Sequence, residues 1–297
     1  MRKFIVSDLH GDGNAYYSIM GYLENISKED EVTLYINGDL IDRGYASAEI
    51  LLDVKDRIEN NKSFKIEYLG GNHELMMWDT ITQYGDVDNI PKDSTWLLKN
   101  DGDITLDCLK ILLSKEQIND VVDFVSNLKI YHKFEEKICD KNIVLVHAKC
   151  PGVVPNECTL TIKDGLSIYD LVWARREYCT SQDRIGHKNY FTIIGHTPTM
   201  TYTGYKYFDD QNYLNIDGGC SRYVVGLNKG DHIPLVEVEN EKLTILTFDN
   251  NNEIMDGHYF VEHDDYPILD LENYRKYLNK SVKIKKRIFE DGYVFFK

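Results

Sequence analysis

Gly38-Asp39-Leu40-Ile41-Asp42-Arg43-Gly44 follows the apolar run Thr33 to Asn37, so two carboxylates and a guanidinium stand where a buried strand ends. Four shorter clusters repeat that arrangement. Asp8-Leu9-His10 closes Lys3 to Val6, and Gly71-Asn72-His73-Glu74 closes Phe64 to Leu69. Val146-His147-Ala148 ends the run from Ile143, and Gly195-His196-Thr197 follows Phe191 to Ile194. Taken singly, an Asp-X-His or a Gly-His-Thr is as readily a capped turn or a hydrogen-bonded loop histidine, and Asp39 to Gly44 a turn with an ion pair. Taken together they point to a metal site, because all share ligand chemistry and all follow apolar runs.

Alternate residues of an extended chain point to one side, so Asp8 and His10 can grip one cation while Leu9 packs away from it. Asp39 is the expected shared ligand, since two carboxylate oxygens can bridge ions about 3.5–4 Å apart. Asn72, His147 and His196 then offer an amide oxygen and two imidazoles to a second ion. That mixed set suits manganese, iron or zinc better than calcium.

At these residues the chain resembles the metallophosphoesterase (calcineurin-like) superfamily. Within it the likeness is to the phosphoprotein phosphatase branch of bacterial and phage serine/threonine phosphatases and symmetrical diadenosine tetraphosphate hydrolases. The resemblance spans about residues 3 to 248, with weaker signatures at Leu171-Val172-Trp173-Ala174-Arg175 and Asn215-Ile216-Asp217-Gly218-Gly219. Asp42-Arg43-Gly44 selects the branch, as does Pro198, where nuclease and phosphodiesterase relatives carry a further histidine.

The resemblance implies an α/β fold of two stacked mixed β-sheets flanked by helices, with two divalent metal ions as cofactors. Manganese is the expected metal, with iron and zinc as alternatives. It assigns Asp8, His10 and Asp39 to one ion and Asp39, Asn72, His147 and His196 to the other. It also implies that His73 is the general acid, oriented by Asp42, and that Arg43 and Arg175 clamp the phosphate. The implied reaction is in-line attack of a metal-bridging hydroxide, without a phosphoenzyme. Two departures bear on substrate. Tyr68-Leu69-Gly70 stands where many bacterial relatives carry an arginine before Gly-Asn-His, and Ser7 replaces a commoner glycine. Cys150 and Cys220 lie near motif segments without a surrounding loop of phosphate-binding amides, so neither is expected to be a nucleophile.

Composition narrows the partners. With 34 Lys and Arg against 49 Asp and Glu, the net charge of −15 repels a nucleic-acid backbone. No apolar run approaches the roughly 20 residues that span a bilayer. Ligand chemistry begins at Asp8, leaving no room for a secretory presequence, so a cytoplasmic enzyme without a membrane partner is expected. The six cysteines, at 108, 139, 150, 158, 179 and 220, form no Cys-X-X-Cys pair and are expected to be free thiols.

Helical patterning over Asn14 to Ile26, Ala46 to Glu59 and His73 to Gln83 alternates with the strands. The expected organisation is a catalytic domain over 1–250, carrying a helical insertion at about 84–128, and an extension over 251–297. Within the insertion Tyr84 to Asp103 is polar, and Ile104 to Leu128 reads as two amphipathic helices. They form either a cap beside the site or a packed peripheral pair. Leu235 to Phe248 reads as a hairpin turning at Glu239-Asn240-Glu241, and the extension as a helix and terminal strand. Tyr202, Tyr205 and Tyr223 either face substrate or pack. The leading expectation is a serine/threonine-type phosphoprotein phosphatase acting on a phosphorylated protein or small phosphorylated substrate. Hydrolysis of diadenosine tetraphosphate or another small phosphoanhydride is the alternative, and a noncatalytic phosphate-binding protein the third.

Overall fold

In the computed structural model, β1 (Arg2–Val6), α1 (Gly13–Ile26), β2 (Val32–Asn37), α2 (Ser47–Glu59) and β3 (Lys65–Leu69) open the chain, with all three strands parallel. The structure describes residues 1–60, 62–151, 159, 167–175, 185–199, 208–210, 213–220, 234–249, 260–263, 266–269, 283–290 and 293–296. Tyr202, Tyr205 and Tyr223 lie outside them. Strand β2 is buried along its whole length, and β1 and β3 are buried toward their carboxyl ends. Phe4 and Val6 of β1 and Leu34 and Ile36 of β2 pack on Tyr16, Ile19 and Leu23 of α1 and on Ile50 and Val54 of α2. Their alternates, Ile5 and Tyr35, point the other way into a second core.

The helix α3 (Asn72–Tyr84) starts directly after the β3 loop. The segment between 84 and 128 then forms a short 3-10 turn and three helices, α4 (Thr95–Asn100), α5 (Gly102–Leu112) and α6 (Lys115–Ser126). The last two occupy the stretch expected to be helical; α4 lies in the stretch read as polar. Ser94 caps α4 by accepting from Leu97 N, and Ser114 and Gln117 exchange hydrogen bonds in a capping box that starts α6. Trp96, Leu97, Leu106, Leu109, Ile118 and Val125 all enter the first core, so the insertion is packed into the main body.

A five-stranded sheet follows, in the order β4-β5-β6-β8-β7. It comprises β4 (Tyr131–Ile138) and β5 (Lys141–Val146), then, after α7 (Ile168–Trp173), β6 (Phe191–Ile194), β7 (Phe208–Asp210) and β8 (Tyr213–Asn215). Strands β5, β6 and β8 are parallel, and β4 and β7 pair antiparallel at the edges. The hairpin of β9 (Pro234–Glu239) and β10 (Lys242–Asp249) turns at Asn240 and Glu241, and β9 adds antiparallel to β1. Ile5, Tyr35, Val236 and Ile245 of the first sheet meet Phe134, Ile143, Leu145, Ile193 and Leu214 of the second. Each side chain buried there contributes roughly 1.5–3 kcal/mol. Two stacked mixed sheets flanked by helices are therefore the observed architecture, as expected.

Beyond residue 250 the described residues are strands. β11 (Phe260–His263) pairs with β12 (Tyr266–Leu269). β13 (Lys283–Glu290) pairs antiparallel with β10, and β14 (Tyr293–Phe296) with β13, completing a seven-stranded first sheet. Among the described residues no helix is long and apolar enough to cross a membrane.

Candidate metal centre

The carboxyl ends of β1, β2 and β3 and of β5 and β6 deliver the five polar clusters to one place, as strand ends of stacked parallel sheets do. Short backbone bonds lace the loops together: Asp8 N to Gly38 O (3.2 Å), His10 N to Asp39 O (2.9 Å) and Gly195 N to His147 O (2.8 Å). Asp8, His10, Asp39, Asp42, Arg43 and His196 all adopt left-handed backbone, with φ between 45° and 71°. Such conformations cost non-glycine residues energy and concentrate where side chains must be aimed. Gly38, at φ 78°, passes so close to the β3 loop that a Cβ would lie 2.6 Å from Gly71 Cα and 2.7 Å from His147 Nδ1. Only glycine fits that crossing.

Second partners fix the histidine tautomers. His10 Nδ1 donates to Ile41 O at 3.0 Å and His147 Nδ1 to Asn37 O at 2.7 Å, which leaves the Nε2 lone pairs facing inward. His196 is turned the other way: Nε2 lies 3.2 Å from Trp173 O and Nδ1 2.7 Å from Asn72 Oδ1. Asn72 Oδ1 is also 3.1 Å from His147 Nε2, so an amide oxygen and two imidazole nitrogens converge. Turned over, the amide would donate to those same nitrogens and to Asp39 Oδ2. Asp39 spans the centre, with Oδ1 3.2 Å from His147 Nε2 and Oδ2 3.6 Å from His10 Nε2. Two groups result, His10 with Asp39 and His73, and Asp39 with His147 and His196. Each holds its ligand atoms within 4.8 Å of one another. Asp8 lies beside them: its carboxylate accepts from Ser7 Oγ and from His196 N (3.0 and 3.1 Å).

The electrostatics match a cation site. Burial works to raise Asp39, but His147, His73 and His10 outweigh it and hold the carboxyl well below its ordinary range. Burial and then Asp217 raise Asp8, while burial lifts Asp217 itself to about 6. His10 is lowered by burial, Arg43 and His73, and His196 by burial, His147 and Arg175. Burial opposes charge on His147, yet Asp39 and Asp8 raise it to about 10, so a cation at Nε2 would displace a proton. Buried imidazole nitrogens and carboxylate oxygens that converge within 4.8 Å of one another in each group, with no sulfur among them, fit divalent cations of the manganese, iron or zinc kind. Burial raises the Cys108 thiol to about 12 and Cys150 to about 11, which keeps both protonated and out of this chemistry.

His73 and Asp42 lie alongside. His73 Nδ1 is 2.7 Å from Asp42 Oδ2, and its ring packs edge-on against His10 at 4.6 Å between centroids. Arg43 bridges the pair, with NH1 2.9 Å from His10 Nε2 and NH2 3.1 Å from His73 Nε2. Arg175 lies near the other group, donating to Thr197 Oγ1 at 3.4 Å beside His196. The other nine sequence-derived residues thus lie around Asp39 or beside the side chains that surround it.

Sequence reasoning gave no role to Glu74, Trp96, Thr105 or Ser7. Glu74 is fully buried and accepts from Asp39 N, Leu40 N, Gly71 N and Tyr68 Oη at 2.7–2.9 Å, tying the β2 and β3 loops together. Its reach back to Gly71 follows the capping pattern of a helix start, a signal readable in sequence. Trp96 Nε1 and Thr105 Oγ1 bond Asp42 at 2.8 and 2.6 Å across 54 and 63 residues, which no local pattern announces.

One solved structure of a cold-active protein tyrosine phosphatase aligns at 14% identity with a TM-score of 0.51, covering 82% of this chain and 75% of that one. Another, from a psychrophilic Shewanella species, aligns at 15% and 0.50, covering 82% and 77%. At that identity the likeness is one of fold. No curated protein matches the chain significantly. The family model for calcineurin-like phosphoesterases matches residues 1–226, which hold β1 to β8 and every cluster described above, and the chain belongs to that family.

Proposed function

We propose that this metal-dependent phosphoesterase is a phosphomonoesterase of the serine/threonine phosphoprotein phosphatase type. Asp8, His10 and Asp39 would hold one divalent ion and Asp39, Asn72, His147 and His196 a second, with manganese as the leading metal. When bound, such ions supply Lewis-acid charge and lower the pKa of water to near neutrality. The chain's own residues do the rest. Arg43, beside His10 and His73, and Arg175, beside Thr197 and His196, would grip the phosphoryl oxygens in bidentate fashion. His73, its Nδ1 proton directed to Asp42, has Nε2 3.1 Å from Arg43 NH2, so it would protonate the leaving oxygen as an imidazolium once that guanidinium turns from Nε2 onto the phosphate.

The observation that carries the monoester reading is the size of the cationic grip. Tyr68-Leu69-Gly70, the stretch in which many relatives carry another arginine, holds none, which leaves Arg43 and Arg175 as the guanidiniums at the cluster among the described residues. Two guanidiniums suit one phosphoryl group better than a polyphosphate chain.

A substrate panel tests this. Manganese-loaded protein should show its highest kcat/KM on phosphoserine or phosphothreonine peptides when these are run beside phosphotyrosine peptides and diadenosine tetraphosphate. A dinucleotide that outcompetes every phosphopeptide would replace this reading with the phosphoanhydride one.

A further inference from the structure

The helical insertion reaches the candidate site through two side chains. Asp42, with no exposed surface, receives three donors on its carboxylate: His73 Nδ1 and Trp96 Nε1 on Oδ2 at 2.7 and 2.8 Å, and Thr105 Oγ1 on Oδ1 at 2.6 Å. Thr105 Oγ1 also lies 3.1 Å from Asp42 N, so one hydroxyl holds both the backbone and the carboxylate of the same residue. Trp96 is on α4 and Thr105 on α5, and both are fully buried. The indole has no room to turn away, because Gly102 at the start of α5 lies flat on it and any Cβ there would collide with Nε1 and Cε2. Arg43 N, donating to Asp101 O at 3.4 Å, joins the same helices to the loop.

A carboxylate held only by His73 would be free to rotate and offer either oxygen. Donors on both oxygens fix its plane, and with it the line along which Nδ1 is held and the direction in which Nε2 points. We propose that Trp96 and Thr105 are positioning residues that lock Asp42 so that His73 stays aimed at the leaving oxygen. The insertion is thereby part of the acid's support. This inference rests on the reading of His73 as the general acid.

The test uses the full chain loaded with manganese and two esters, phenyl phosphate as the poorer leaving group and para-nitrophenyl phosphate as the better. Trp96→Phe keeps the buried ring without its N–H, and Thr105→Val keeps the shape without the hydroxyl. Each should lose about tenfold in kcat on phenyl phosphate and about twofold on the nitrophenyl ester, since a better leaving group needs less protonation. KM, metal content and circular dichroism should stay as in the parent. Thr105→Ser should recover the loss, and in a His73→Asn background neither change should cost anything further.

Equal losses on both esters, or losses that add fully to His73→Asn, assign the two residues to fold stability and overturn the proposal. The two readings also separate. If His73→Asn is itself unselective, the acid reading fails and this inference with it. If His73→Asn is selective while the Trp96 and Thr105 variants are not, only the positioning role fails.

Discussion

Asp39 meets more constraints than any neighbour in the centre. Its backbone is left-handed, its N–H is fixed by Glu74, its carbonyl by His10, and Oδ1 accepts from His73 N at 3.0 Å while both oxygens face imidazoles. Neutralising it by Asp39→Asn removes the charge shared by the two groups and turns an amide N–H against imidazole lone pairs. Metal retention after gel filtration should fall sharply, with affinity weakened about a hundredfold or more, beyond the 10–100-fold typical of outer-shell losses. Elemental analysis at parental occupancy would contradict the bridging role. Ser7, small where glycine is commoner, gains a use here, because its hydroxyl meets the Asp8 carboxylate.

The start of α3 acts as a unit. Asn72 and His73 face the centre from its first turn, while Glu74, one residue on, points back to hold the β2 loop by Asp39 N and Leu40 N. A carboxylate can accept from all four of its donors; a glutamine must turn an N–H toward one of them. Glu74→Gln should therefore destabilise the protein by about 1–3 kcal/mol, read as a lower urea midpoint. An unchanged midpoint would show that the loops hold their course without this carboxylate. At the same scale the insertion is tied into the main body. Its Trp96 fills the main core and bonds Asp42, so removing α4 would damage both.

Across the whole molecule, two sheets stacked through one apolar interface leave their carboxyl strand ends side by side, and acidic groups collect there. Asp8, Asp39 and Asp217 are all buried around the same centre, and burial raises Asp8 and Asp217. Cations that bind the folded chain alone offset that concentration of charge and stabilise it by mass action, about 4 kcal/mol at a thousandfold excess over Kd. A strong chelator should accordingly lower the melting temperature by several degrees and abolish aryl phosphate hydrolysis, and manganese should restore both. Full activity in rigorously metal-free protein would remove the metal mechanism.

The strands that carry the polar clusters, the order of those clusters and hence the family were legible in the residues alone, because a buried strand writes its apolar run locally and a ligand pair such as Asp8 and His10 needs only the two-residue period of one strand. It also located the helices of the parallel half to within a residue or so, since their caps and amphipathic spacing are short-range. What orients those ligands came from packing. That Glu74 ties two loops, that Arg43 bridges His10 and His73, and that Trp96 and Thr105 hold Asp42 are contacts between residues 30 to 63 positions apart. Side chains that far apart in the chain meet only after the sheets and the insertion have packed, and no local periodicity records the encounter.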